Sequence, residues 1–157
     1  MTELALRLQS DLKEAMRSAD ITRRDVVRFL RSAIHNVEIE RGRSLTDDEI
    51  VDVVLRQIKQ RGDSIEQFAR GGRQDLVDIE KAQIAILEQY LPPQLSEEEL
   101  LQLAREVVDS LHASGPGDMG RVIPVLRERA GQRAAGNAVA QAARTALSEQ
   151  GNRAKSG

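Results

Sequence analysis

The chain contains no cysteine and no tryptophan, and its only aromatic residues are Phe29, Phe68 and Tyr90. Without cysteine there is no disulfide, no thiolate metal site and no cysteine nucleophile. So few aromatics argue against a β-sandwich or barrel, which builds its short alternating strands from aromatic and β-branched residues. No apolar run approaches the roughly 20 residues that a membrane-spanning helix needs. The N-terminal stretch MTELALRLQSDLKEAMRS is amphipathic, but its three acidic residues make it unlike a signal or transit peptide. These absences set the expectation of a soluble cytoplasmic protein.

The residues that are present read as helix. Leucine, valine, isoleucine and alanine supply the apolar content, amid abundant glutamate, arginine and glutamine. Apolar residues recur at helical spacing in successive stretches. Leu4, Leu8, Leu12 and Ala15 mark a first helix over about 2–18. Val26, Val27, Leu30, Ala33, Ile34 and Val37 mark a second over about 22–41. Thr46 and Glu49 form a T-x-x-E capping box for a third helix, which reaches Arg70 and closes at Gly71-Gly72; Gly62 is a possible kink. A fourth helix runs from about Arg73 to Tyr90 and stops at Pro92-Pro93. Ser96 and Glu99 make a second capping box for a fifth helix, extending to about His112. A sixth runs from Asp118 toward Arg129, kinked or starting late because of Pro124, and a seventh from about Ala135 to Leu147.

The predicted fold is therefore all-α: an N-terminal four-helix bundle-like domain over 1–92, a smaller three-helix tail domain over 96–148, and an irregular, disordered tail over 149–157. A chain of 157 residues is long enough for one compact domain or two small ones.

Charge is unevenly distributed. Residues 44–112 carry a net of −8, residues 113–157 a net of +4 and residues 1–43 a net of +2. Basic ends around an acidic middle suggest a surface for polyanions. In the tail the candidates are Arg121, Arg127, Arg129, Arg133, Asn137 and Arg144, since arginines and helix N-termini grip phosphates by charge-assisted hydrogen bonds. No aromatic lies in that half, so recognition would be of shape and backbone rather than of stacked bases. A secondary basic stripe, Arg24, Arg28, Arg31 and His35, falls on the second helix, away from its apolar face. Arg61 lies on the apolar face of the third helix and needs a carboxylate; Asp75, Asp78 and Glu80 on the next helix are candidates, and Asp75 is the expected partner in a structural ion pair.

Catalytic patterns are sparse. Gly115, Gly117 and Gly120 spell G-x-G-x-x-G, but no strand precedes them as a dinucleotide site requires. His35 and His112 are far apart in sequence, with no helical metal-ligand spacing. Ser32, Ser64 and Ser110 have no evident base. The acidic runs Asp47-Asp48 and Glu97-Glu98-Glu99 sit in first helical turns, where they complement the helix dipole. No cofactor and no metal are expected.

Several blocks resemble the GatB/YqeY family, free-standing proteins similar to the C-terminal region of the B subunit of the tRNA-dependent amidotransferase. These blocks are Lys59-Gln60-Arg61 with Asp63-Ser64-Ile65, then Gly72-Arg73-Gln74-Asp75-Leu76, and Glu88-Gln89-Tyr90-Leu91-Pro92. In the tail, Asp118-Met119-Gly120-Arg121-Val122 and Arg133-Ala134-Ala135-Gly136 with Val139 resemble the family motifs D-M-G-K-V and G-R-A-D-G-x-x-V. Gln132 and Ala135 depart from the second motif; the missing Asp would have been a helix N-cap. The resemblance implies a helical, tRNA-holding accessory protein without a catalytic centre of its own. It also brings the family label of a carbon–nitrogen ligase with glutamine as amido donor. A helical module that docks on a protein partner is the third reading.

Overall fold

Side-chain caps mark where four of the helices begin, at Thr2, Asp20, Thr46 and Ser96. Thr2 accepts a hydrogen bond from the Ala5 N–H and opens α1, Glu3–Arg17; Asp20 accepts one from the Arg23 N–H and opens α2, Ile21–Arg41. Thr46 and Glu49 form the reciprocal box in front of α3, Asp47–Arg70, with bonds of 3.2 and 3.1 Å. Gly42 ends α2 in the left-handed region at φ 70°, and Gly72 at φ 71° turns the chain from α3 into α4, Gln74–Glu88. Such angles are strained for any residue with a Cβ. The helix α3 continues through Gly62 without interruption.

The structure, a computed structural model, describes residues 1–156. The chain divides into two compact units, Met1–Leu91 and a second beginning at Pro92. Among the described residues every regular element is a helix. The first unit holds α1 to α4, and α3 packs along α4 while α1 packs along α2. Its core is aliphatic, with Leu8, Leu30, Ile50, Val54 and Leu87 sealed from solvent. Each such side chain contributes about 1.5–3 kcal/mol by leaving water.

Tyr90 closes this unit. Its hydroxyl donates to Asp11 Oδ2 at 2.6 Å, and the Arg7 guanidinium lies 4.8 Å above its ring. Arg7 and Arg23 also bond Gln89, through its carbonyl oxygen at 2.9 Å and its side chain at 2.8 Å. The end of α4 is thereby tied to α1 and α2. Burial, reinforced by the bond to Asp11, pushes the Tyr90 phenol well above the ordinary tyrosine range.

The second unit holds α5, Glu97–Ser110, α6, Met119–Ala130, and α7, Gly136–Ser156, with 3-10 turns at Pro116–Asp118 and Gly131–Arg133. Ser96 and Glu99 form the second capping box, with bonds of 3.1 and 3.0 Å. Leu100, Val107, Val122, Leu126, Ala143 and Leu147 meet in its core. Pro124 is the sixth residue of α6 and removes the donor for the Gly120 carbonyl. Both residues are exposed, which leaves that carbonyl open to water.

Two expectations need correction. The stretch read as irregular over 149–157 is helical as far as Ser156. Periodicity of large apolar residues ends at Leu147, but other contacts carry the helix on: Arg105 grips Glu149 with bonds of 2.8 and 3.0 Å, and Gly151 packs closely against the Ser114 carbonyl. Asp75 is not the partner of Arg61. Asp75 is held by Arg73 two residues away, at 3.1 and 2.9 Å, while Arg61 meets Glu80 at 3.2 Å and also bonds Gln83. Asp75 lies in the first turn of α4, and Glu80 stands more than a turn further along, beside Arg61 on the packed face of α3.

Candidate functional site

The α2 stripe is the first candidate. At 100° per residue, Arg24, Arg28, Arg31 and His35 fall within about 60° of one another. Arg24 is held by its neighbour Asp25 at 3.0 Å. Arg28 donates one side-chain hydrogen bond, to the Met16 sulfur at 3.8 Å, and neither Arg31 nor His35 makes a side-chain hydrogen bond within the unit. Arg28, Arg31 and His35 are thus exposed in a row and form no ion pair within the unit.

That row is the rim of a groove, rather than a plain outer face. A groove of about 980 Å³ runs between α1 and α2. Ala5, Leu8 and Leu12 line it from α1, Ile34 and Leu45 from its floor, and Arg28, Arg31 and His35 from α2. Leu8 is 1% exposed and belongs to the core, as its helical spacing predicts; the half-buried Ala5 and Leu12 give the groove its accessible apolar surface. Glu38 is the only carboxylate lining the groove, and it is committed to the Leu45 N–H at 2.9 Å.

The tail residues separate into two groups. Arg121 donates to the Leu111 carbonyl at 2.8 Å and to Asp118 at 3.3 Å, closing the loop before α6. Asp118 also accepts from the Ser114 N–H, and this bond, ahead of its contact with Arg121, holds its carboxyl below the usual range. Arg133 donates to the Ala130 and Arg129 carbonyls and so caps the end of α6. Arg144 bonds Gln141 on its own helix at 2.8 Å, and Asn137 accepts from the Ala138 N–H at 2.9 Å. Only Arg127 and Arg129 are exposed and make no side-chain hydrogen bond or ion pair within their unit. They flank the buried Leu126–Ala130 edge of α6 from opposite sides. The six residues therefore do not converge on one site.

Arg61 is structural in this geometry. Its side chain and that of Glu80 are 17% and 20% exposed, and the guanidinium sits 6.0 Å from the Phe29 ring. Among the described residues no cluster of His, Asp or Glu could hold a metal ion, and no helix is long and apolar enough to cross a membrane.

Comparison with known proteins places this geometry in a family. A family model described as Yqey-like protein matches residues 5–147. The chain belongs to the YqeY-like family. YqeY-like relatives include "Altered inheritance of mitochondria protein 41, mitochondrial" from Pyrenophora tritici-repentis, 33% identical over 129 residues, covering 79% of this chain and 71% of that protein. The protein of the same name from Lachancea thermotolerans is 38% identical over 112 residues, covering 69% of this chain and 60% of that protein. The one from Candida glabrata is 34% identical over 113 residues, covering 69% and 62%. The chain thus spans about three fifths of the length of the latter two.

These names overturn the cytoplasmic expectation, because the relatives are named as mitochondrial proteins. Of the acidic residues in the first 18 positions, Glu3 lies in the first turn of α1, Asp11 holds the Tyr90 hydroxyl and Glu14 is exposed. Their places are set by the packing and solvation of one helix and carry no information about compartment.

Proposed function

We propose that this YqeY-like protein is an accessory that holds a folded RNA of the tRNA class by its phosphate backbone and performs no chemistry of its own. The observation that carries the reading is the pair Arg127 and Arg129, exposed and without a counter-ion in their unit, in a segment of net charge +4. Free guanidiniums bind phosphate bidentately, whereas those already holding carbonyls must first release them. The unit offers no aromatic for a base to stack on, which favours backbone contacts over sequence reading. The resemblance of the tail motifs to the amidotransferase B subunit supports tRNA as the RNA class. The ligase label has no such support from the geometry.

Fluorescence anisotropy of labelled total tRNA, at low and at physiological salt, tests this. Saturable binding is expected, with a steep dependence on salt. The double variant Arg127→Ala, Arg129→Ala should weaken binding and lower the salt slope by about 2, one contact per arginine. An unchanged slope, or no binding even at low salt, would refute the proposal.

A further inference from the structure

The α1–α2 groove is not used by the RNA reading, and its two walls differ in chemistry. One wall is apolar, built by Ala5 and Leu12 over the buried Leu8; the other carries Arg28, Arg31 and His35. We infer that this groove docks an amphipathic helix of a partner protein that carries acidic residues along one edge.

Charge complementarity selects this occupant. From Arg28 to His35 the row rises about 10 Å along α2, at 1.5 Å per residue. Residues at i, i+3 or i+4, and i+7 of a second helix line up over the same length. Three carboxylates at that spacing would face the three rim groups while the adjoining apolar stripe covers Ala5 and Leu12, which is the helix-in-groove mode of recognition. Glu38 stays anionic while it accepts from the Leu45 N–H, and it stands one turn beyond His35, so the unpaired positive charge of the rim is concentrated at Arg28 and Arg31. A nucleic-acid backbone would use the cations but would set polar sugars against the leucine wall. A fatty-acid anion would fill the apolar wall but has a single charge for a row 10 Å long.

The probe is a fluorescein-labelled synthetic helix of about 18 residues, with leucines on one stripe and glutamates on the adjoining edge at i, i+3 and i+7. It is titrated with the full chain and read by anisotropy. A matched peptide with lysine for glutamate serves as control. The acidic peptide should bind saturably and the lysine peptide should not. The double variant Arg28→Glu, Arg31→Glu should weaken binding by about tenfold or more. Ala5→Trp, which fills the groove without touching a charge, should also abolish it. Far-UV circular dichroism checks that both variants stay folded. The Arg127→Ala, Arg129→Ala variant should bind the peptide normally, which separates this site from the RNA proposal. Equal binding of both peptides, binding that ignores Arg28→Glu, Arg31→Glu, or no binding at all would overturn the inference. So would displacement of the peptide by tRNA or oleate at concentrations below its own, or blockage by self-association of the chain.

Discussion

Replacing Gln57 with methionine should stabilise the first unit. Gln57 is 4% exposed, lies on α3 one turn after the buried Val53 and Val54, and neither atom of its amide has a hydrogen-bond partner in the protein. A buried polar group left without a partner costs about 1–3 kcal/mol relative to water. Methionine keeps nearly the same length and volume, has no strong donor or acceptor, and adapts to the space. The substitution should therefore raise stability by about 1–3 kcal/mol. For a unit of this size, each kcal/mol moves the melting temperature by about 4–8 °C. Urea unfolding followed by circular dichroism should show a higher midpoint with an unchanged slope. Gln57→Glu should move the midpoint the other way, because a carboxylate there would be buried without a cation. A midpoint that falls in Gln57→Met would refute the reasoning and mean that the amide is satisfied in solution.

Arg61→Ala should destabilise the first unit by about 3 kcal/mol, the low end for a broken buried pair, since about a fifth of each partner is exposed; urea unfolding measures it. Removing Asp75 should cost almost nothing by comparison, because its pair with Arg73 is at the surface. At high pH, Tyr90 sets a limit on stability. Its folded-state pKa is raised, so its contribution is complete below the unfolded value of about 10 and is lost as pH rises beyond it. Thermal melts between pH 9 and 11, scales on which tyrosine ionises, should show a falling midpoint that Tyr90→Phe flattens. At low pH the sign reverses. Glu99, Asp118 and Glu149, all in the second unit, have lowered values, from bonds to Ser96, Ser114 and Arg105 respectively. Their contributions are present above the unfolded values of about 4 and fade as pH falls through the folded ones. Melts at decreasing pH should show this loss, with a smaller pH dependence in Glu149→Gln.

The parts of the fold legible in the sequence were those written in local chemistry. The Thr46–Glu49 and Ser96–Glu99 boxes mark helix starts because both members lie within one turn, and Gly42 and Gly72 mark turns because of their backbone angles. The helical extension beyond Leu147 was not legible, since its support comes from Arg105 on another helix. The choice of Glu80 over Asp75 for Arg61 depends on how α3 and α4 register, which no single-helix pattern states. At the candidate sites, sequence supplied the cations but not their commitments. Arg121 and Arg133 look identical in type to Arg127 and Arg129, yet the first two hold backbone carbonyls and the others do not. The groove between α1 and α2 was invisible because its wall residues have the same spacing as core residues.

The separation of the two hydrophobic cores has a consequence for how the chain is made. Every residue of the first core lies before Pro92, and every residue of the second lies after it. Domains fold as units and in order of synthesis. Once Tyr90 has emerged from the ribosome, the first unit has all the parts it needs, including the tyrosine that ties α4 to α1. It can finish folding while α5 to α7 are still being translated, and no helix of the first unit has to wait for a core partner encoded in the second.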